Sequence, residues 1–467
     1  MILPDGSMTM NKPITEELRA LDAAHHMHPF SDNRQLPRDG VRVITQARGV
    51  MIWDSDGNRY IDGMSSLWNV NIGHGRPEIA EAVAAQFREI EFFNLFYKTS
   101  NVPAIRLAEA LAKIAPEGFD KVMFTNGGSE SIDTAFRMVR TFWAMQGRPE
   151  KFHIIARRNA YHGSTVAGAS LGGMTPMHEQ GGLPIPGITH IAQPYWWGEG
   201  GDMTSDEFGL WAARELAREI DRLGENRVAA FFAEPIQGAG GVIIPPRTYW
   251  PEVQRILSER EILFVSDEVI CGYGRLGTWF GCEYFGTKPD IMTTAKGLSS
   301  GYLPIGAVLV GKRVADVFYG LGGEFNHGFT YSGHPVCCAA ALRNIEIIRD
   351  ERLVERVRDD IGPYMQAKWA ALADHPLVGE AVMAGLIGAI QLTPDKATRA
   401  KWPETGTVGT ICRNHSFENG LVMRAVGDRM VIAPPLTITR AEVDELVGIA
   451  RRTLDDTART LKEKGLI

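Results

Sequence analysis

Two charges stand at the ends of two short apolar runs. Ile262–Val265 leads into Asp267-Glu268, and Ile291–Thr294 leads into Lys296-Gly297. Short apolar runs that stop at a charge predict buried parallel strands, each delivering its charge at its carboxyl end. In open α/β sheets ligands bind in the crevice outside those ends. One carboxylate and one amine are therefore expected to face the same crevice. A structural ion pair between Asp267 and Lys296 is one outcome, since such pairs are common. The other is chemical. A buried lysine that loses its charge becomes a nucleophile toward carbonyls and forms a Schiff base.

An amine of that kind, with a carboxylate that keeps a pyridine nitrogen protonated, is what a pyridoxal phosphate (PLP) site requires. Asp267-Glu268-Val269 followed by Ala295-Lys296-Gly297 resembles the core signature of class III (ω-) aminotransferases. Glu234-Pro-Ile-Gln-Gly-Ala-Gly-Gly, Tyr161-His162-Gly163 and Thr330-Tyr-Ser-Gly-His-Pro335 match the same family in order. The likeness runs from about residue 30 to the C-terminus and is nearest to (S)-selective ω-amine:pyruvate transaminases. It implies an α/β chain of PLP fold type I, with a large domain whose mostly parallel central sheet is flanked by helices, and a smaller α+β domain. Boundaries are expected at 1–75 for an N-terminal segment joining the small domain, 76–335 for the large PLP-binding domain and 336–467 for the C-terminal small domain.

Composition agrees with two domains. The chain has 467 residues, too many for one ordinary core. A net charge of -7 leaves no basic footprint for nucleic acid. No apolar run approaches a membrane span, and the polar N-terminus lacks a signal-peptide pattern, so a cytoplasmic enzyme is expected. The five cysteines have no zinc spacing and read as buried free thiols. His25, His26 and His28 have no interleaved Cys or carboxylate, so a surface cluster is expected and no metal site.

The elements that must position the chemistry follow from periodicity. Residues 1–14 are expected to be frayed, with a helix from Thr15 to about His25. Residues 41–62 alternate around an Asp56-Gly57 turn and predict a hairpin. The Gly-rich stretch 62–75 is neither strand nor helix; its Trp68 is either core or pocket. Helices are predicted over Pro77–Ile90 and Asn101–Ile114, with the aromatic stretch Phe92–Tyr97 between them as interface or pocket wall. Lys121–Thr125 predicts a strand running through Asn126-Gly127-Gly128-Ser129 into a helix that ends near Met145. Strand, glycine turn and helix start are the geometry that binds phosphate. Strands are also predicted at His153–Ala156 and Val228–Ala233, a long interface loop over 172–205, and an edge or antiparallel strand at Ile305–Val310. Pro335–Asp350 and Thr439–Lys464 read as helices, and Leu421–Arg424 as a strand ending at an arginine.

The resemblance assigns roles to these positions. It implies Lys296 as the catalytic amine and Asp267 as the partner of the ring nitrogen. Gly128 and Ser129 would hold the phosphate, joined by Thr330 from a neighbouring subunit, so that each site needs two chains. Tyr161 would stack on the ring, Val269 would contact the cofactor and Glu234 would support the site. Trp68, Phe93, Phe96, Tyr161 and Arg424 would form the substrate pocket. Two departures stand out. Gly127 replaces a frequent Ser, and Ala239 replaces the Glu that pairs an arginine in relatives handling ornithine or 4-aminobutyrate. The expected reaction is ping-pong transfer of an amino group from an amine or ω-amino acid to a keto acid, pyruvate first, by a homodimer or dimer of dimers. Candidate donors are β-alanine, 4-aminobutyrate, putrescine and aromatic amines. A PLP aminomutase or decarboxylase on the same fold, or a catalytically dead PLP-binding regulatory protein, are the rivals.

Overall fold

The computed structural model describes residues 12–467. The frayed segment expected over 1–14 lies outside the described residues as far as residue 11. From there the chain is already helical, with α1 at Lys12–His25.

Three sheets follow in chain order. The first is antiparallel: β1 (Ile44–Arg48), β2 (Met51–Asp54) and β3 (Arg59–Ile61). Helices α2 (Pro77–Glu89) and α3 (Val102–Ile114) come next, each with Pro in its first turn, where a missing N–H costs nothing.

The second sheet has seven strands: β4 (Lys121–Thr125), β5 (His153–Arg157), β6 (Ile188–Ile191), β7 (Val228–Ala233), β8 (Leu263–Asp267), β9 (Ile291–Thr294) and β10 (Gly306–Val310). Its order is β4-β10-β9-β8-β7-β5-β6, parallel from β9 to β6 and antiparallel on both sides of β10. Alternation puts Ile154, Phe232 and Val265 on one face, against α4 (Gly128–Met145). Ile155, Phe231 and Phe264 lie on the other face, against α5 (Ser205–Leu223) and α6 (Tyr249–Glu259). Both faces are covered by helix, which is why these strands read as continuous apolar runs.

After helix α7 (Pro335–Asp350), the third sheet is antiparallel: β11 (Val378–Ala384), β12 (Ile387–Leu392), β13 (Arg424–Val426) and β14 (Arg429–Ile432), in the order β11-β12-β14-β13. Helix α8 (Arg440–Glu463) closes the chain behind a Thr439–Glu442 capping box. Residues 61–63 hydrogen-bond into this last region. Ile61 N–H reaches Gly420 O at 2.9 Å, and Ala433 N–H reaches Gly63 O at 2.7 Å.

Four local expectations need correction. The span 172–205 is not only loop, because it contains β6, a parallel edge strand. Four residues between Gly-Pro turns carry too little periodicity to announce it. β10 is antiparallel but interior, laddered to β4 and β9, since pattern does not choose a strand's neighbours. The stretch 62–75 holds a helical turn, Ser65–Trp68, broken by non-helical dihedrals at Ser66 and Leu67. Arg424 opens its strand rather than ending one.

Candidate active site

β8 and β9 are parallel neighbours, with Asp267 paired in register to Thr293. The chain leaves β9 through Ala295 and turns at Lys296. The two groups therefore emerge at one carboxyl edge, as the pattern of charges predicts. Asp267 and Glu268 then diverge, as successive residues of an extended chain must. Asp267 is 5% exposed and accepts from Val269 N–H at 3.1 Å, and its Oδ2 lies 2.7 Å from His162 Nδ1. Glu268 points into the protein and accepts from Gly281 N–H at 2.6 Å, Cys282 N–H at 2.8 Å and Ser266 Oγ at 3.0 Å. Burial pushes its carboxyl up to about 7. Of the two adjacent acids, only Asp267 faces the crevice.

Lys296 is half-buried and its Nζ makes no hydrogen bond or ion pair among the described residues, so the structural-pair outcome does not hold. Desolvation pulls its amine below the ordinary value of 10.5, against the opposing pull of Asp267 and Glu234, and Arg424 lowers it further. Its backbone sits at φ +43, a region a β-carbon resists and one found where surrounding structure over-determines a functional group. Nζ lies 5.7 Å from the Trp68 ring, and the Arg424 guanidinium lies 4.9 Å from the same ring.

The phosphate-binding geometry is present at the start of α4. Its N-cap, Gly127, offers no side-chain acceptor, so the first N–H groups remain available to an anion. A β-carbon at Gly128 would press within 3.3 Å of both Val269 methyls. The Tyr161-His162-Gly163-Ser164 turn docks on this helix start. Ser164 N–H donates to Ser129 Oγ at 3.1 Å, and a β-carbon at Gly163, with φ +116, would collide with Ser129. Glu234 accepts from Tyr161 N–H at 3.1 Å and Gly238 N–H at 2.8 Å, while burial raises its pKa. With both oxygens engaged by backbone, it holds the Tyr161 turn rather than presenting a free oxygen to a ligand.

Lys296, Asp267, Val269, Gly128, Ser129, Tyr161, Glu234, Trp68 and Arg424 thus share one region. Thr330, Phe93 and Phe96 do not join it through any described hydrogen bond, ion pair or ring contact within the chain. All three are exposed, Phe93 at 48% and Phe96 at 42%.

Three residues of the site's frame escaped sequence reading. His162 was visible only as part of a motif, and nothing in its spacing announces its reach to Asp267. Arg275 and Asp62, 0% and 1% exposed, carry no local signal beyond being charges beside glycines. The histidine cluster lies at the surface, as expected, and gains a partner from outside the motif. Asp22, one helical turn upstream, lies 3.1 Å from His26 Nδ1 and 2.9 Å from His28 Nε2, supplying the carboxylate partner that the local reading lacked.

The residues present fit PLP: an amine with no hydrogen-bonding or ionic partner among the described residues, a buried carboxylate held by a histidine, and an uncapped helix start lined by Gly128. Comparison with known proteins leads to the same group. Residues 35–454 match the sequence profile of the family described as Aminotransferase class-III. The chain is 56% identical over 444 residues to the putrescine–pyruvate aminotransferase of Pseudomonas aeruginosa, covering 95% of this chain and 97% of that protein. Among solved structures, an (S)-enantioselective ω-transaminase from Thermomicrobium roseum superposes with TM-score 0.92 at 42% identity, covering 97% of this chain and 100% of that one. The ω-transaminase from Pseudomonas jessenii, solved in complex with PMP, superposes with TM-score 0.91 at 39% identity, covering 95% and 99%. With fold, crevice chemistry and likeness in agreement, the chain belongs to the class III aminotransferases, enzymes that work with PLP.

Proposed function

We propose that this aminotransferase moves an amino group from an ω-amine donor, putrescine first, to pyruvate. The observation that carries the acceptor half is Arg424. It is half-buried beside Trp68 and has no acidic partner among the described residues, with Ala239 in the same apolar cluster as that tryptophan. An unpaired guanidinium there suits the carboxylate of a keto acid, through two parallel hydrogen bonds. The donor half rests on likeness to the putrescine–pyruvate enzyme.

PLP, when bound, supplies an aldehyde and an electron-accepting ring. Lys296 would hold it, and Nζ is the group placed to take up and return a proton during the transfer. Such general acid–base help is worth about 10²–10⁴-fold. Burial lowers the proton affinity of Nζ below that of an ordinary lysine, which favours the neutral amine that a base requires. Asp267 keeps the ring nitrogen protonated, and His162 fixes the orientation of its carboxylate. The α4 start, with Gly128 and Ser129, holds the phosphate. Tyr161, held by Glu234, and Val269, beside Asp267, would hold the ring. Trp68 lines the donor pocket. Thr330, Phe93 and Phe96 complete the site across a homodimer interface, which accounts for their exposure in one chain. The five unpaired cysteines suit a reducing cytoplasm.

The test is a donor panel of putrescine, β-alanine, 4-aminobutyrate and an aromatic amine, each with pyruvate, read by alanine formed. Putrescine should give the highest kcat/KM. Absence of alanine from every donor would overturn the reading.

A further inference from the structure

The turn that presents Trp68 is built from backbone that its residues resist. Ser65, Ser66 and Trp68 have φ of +46, +59 and +59, and none is glycine. Positive φ brings the β-carbon of an L residue against its own backbone, so such a turn persists only where neighbours impose it. Asp62, 1% exposed, does so through one carboxylate. Oδ1 accepts from Met64 N–H at 3.2 Å, and Oδ2 accepts from Ser66 N–H at 2.7 Å. His74 Nε2 braces the same Oδ2 at 2.8 Å. Arg275 grips the turn from the other side, donating to Ser65 Oγ at 3.2 Å and Asn71 Oδ1 at 2.8 Å. Ser65 Oγ in turn donates to Ala433 O at 2.7 Å. The outcome is a 2%-exposed Trp68 whose ring meets Lys296 and Arg424.

We infer that Asp62, braced by His74, is a positioning residue for donor specificity. It imposes the turn that sets the Trp68 ring against the amine and the guanidinium. This rests on the reading of Trp68 as a wall of the donor pocket. The carboxylate matters because it offers two acceptors to three groups. An amide at 62 would present one oxygen, and its NH2 would face a backbone N–H, donor to donor. The turn would then relax, carrying Trp68 with it, while Asp267, His162 and the start of α4 stay in place.

The experiment is a double-mutant cycle on the PLP-loaded enzyme with Asp62→Asn, Trp68→Ala and both together. For an aromatic amine, Asp62→Asn should raise KM about tenfold, since small misplacements of positioning groups are costly. The visible absorbance of the bound cofactor should not change. In the Trp68→Ala background the same substitution should alter the donor KM by less than about twofold, because the group it positions is gone. Equal factors in both backgrounds would overturn the inference, as they would mean a general effect on the fold. A Trp68→Ala enzyme with unaltered KM for every donor would overturn the pocket reading, and the inference with it. Should Asp62→Asn fail to fold, His74→Asn, which removes one brace and leaves the carboxylate, carries the same cycle with the same outcomes.

Discussion

Asp267 and Lys296 form the floor of the site, and Trp68 with Arg424 forms a wall. The floor groups emerge from adjacent parallel strands whose ladders leave little choice of position. The wall groups come from distant parts of the chain, one from a strained turn and one from the first residue of a short strand. Ladders are local and redundant, so the floor tolerates change around it. The wall depends on a few buried polar contacts, Asp62 and Arg275 above all, each without a substitute. Catalytic chemistry and donor choice should therefore be separable by mutation.

The floor should fail hardest. On the proposed mechanism Lys296→Ala removes both the covalent anchor and the proton carrier, and kcat should fall by more than about 10⁴-fold, measured as alanine formed. Asp267→Asn should come next, with a loss of about 10²–10³-fold in kcat, as for other lost charge-stabilising groups. An enzyme retaining half its rate after either change would erase the distinction between floor and wall. At the wall, Arg424→Ala should raise the KM for pyruvate about 10–100-fold, the worth of a charged hydrogen bond. The half-reaction with a carboxylate-free amine should stay within about twofold of wild type. An equal loss in both half-reactions would place Arg424 with the chemistry rather than with selection. The smallest effect is on stability. Burial lowers the pKa of Lys296, so the unfolded chain binds that proton more tightly than the folded, cofactor-free chain. Its contribution to stability therefore grows as pH rises from the depressed folded value toward 10.5 and is lost on acidification. Urea midpoints of the cofactor-free protein should rise as pH approaches the ordinary lysine value of 10.5, and Lys296→Met should flatten that rise.

Much of this was legible along the chain. Lys121–Thr125, Val228–Ala233 and Ile291–Thr294 are strands with the predicted ends, and Pro335–Asp350 is a helix with the predicted ends. Strands buried on both faces declare themselves by unbroken apolarity, and Pro marks where that helix begins. The α/β class and the meeting of Asp267 with Lys296 at one sheet edge followed from the same pattern. β6 escaped because glycines and prolines around it masked four residues, and β10 was expected as an edge or antiparallel strand, of which the antiparallel alternative holds, because no pattern names a strand's neighbours.

The rest was decided in three dimensions. Apolar runs ending in charges required a crevice with an amine and an acid in it, because strand burial and side-chain alternation are local rules. Nothing local could tell Asp267 from Glu268, join His162 to Asp267, or bring Asp22 to His26 and His28. Nor could it reveal that Asp62 and Arg275 clamp one turn from two sides. Hydrogen bonds between residues far apart in the chain form only after packing brings them together, and burial then makes each one costly to lose.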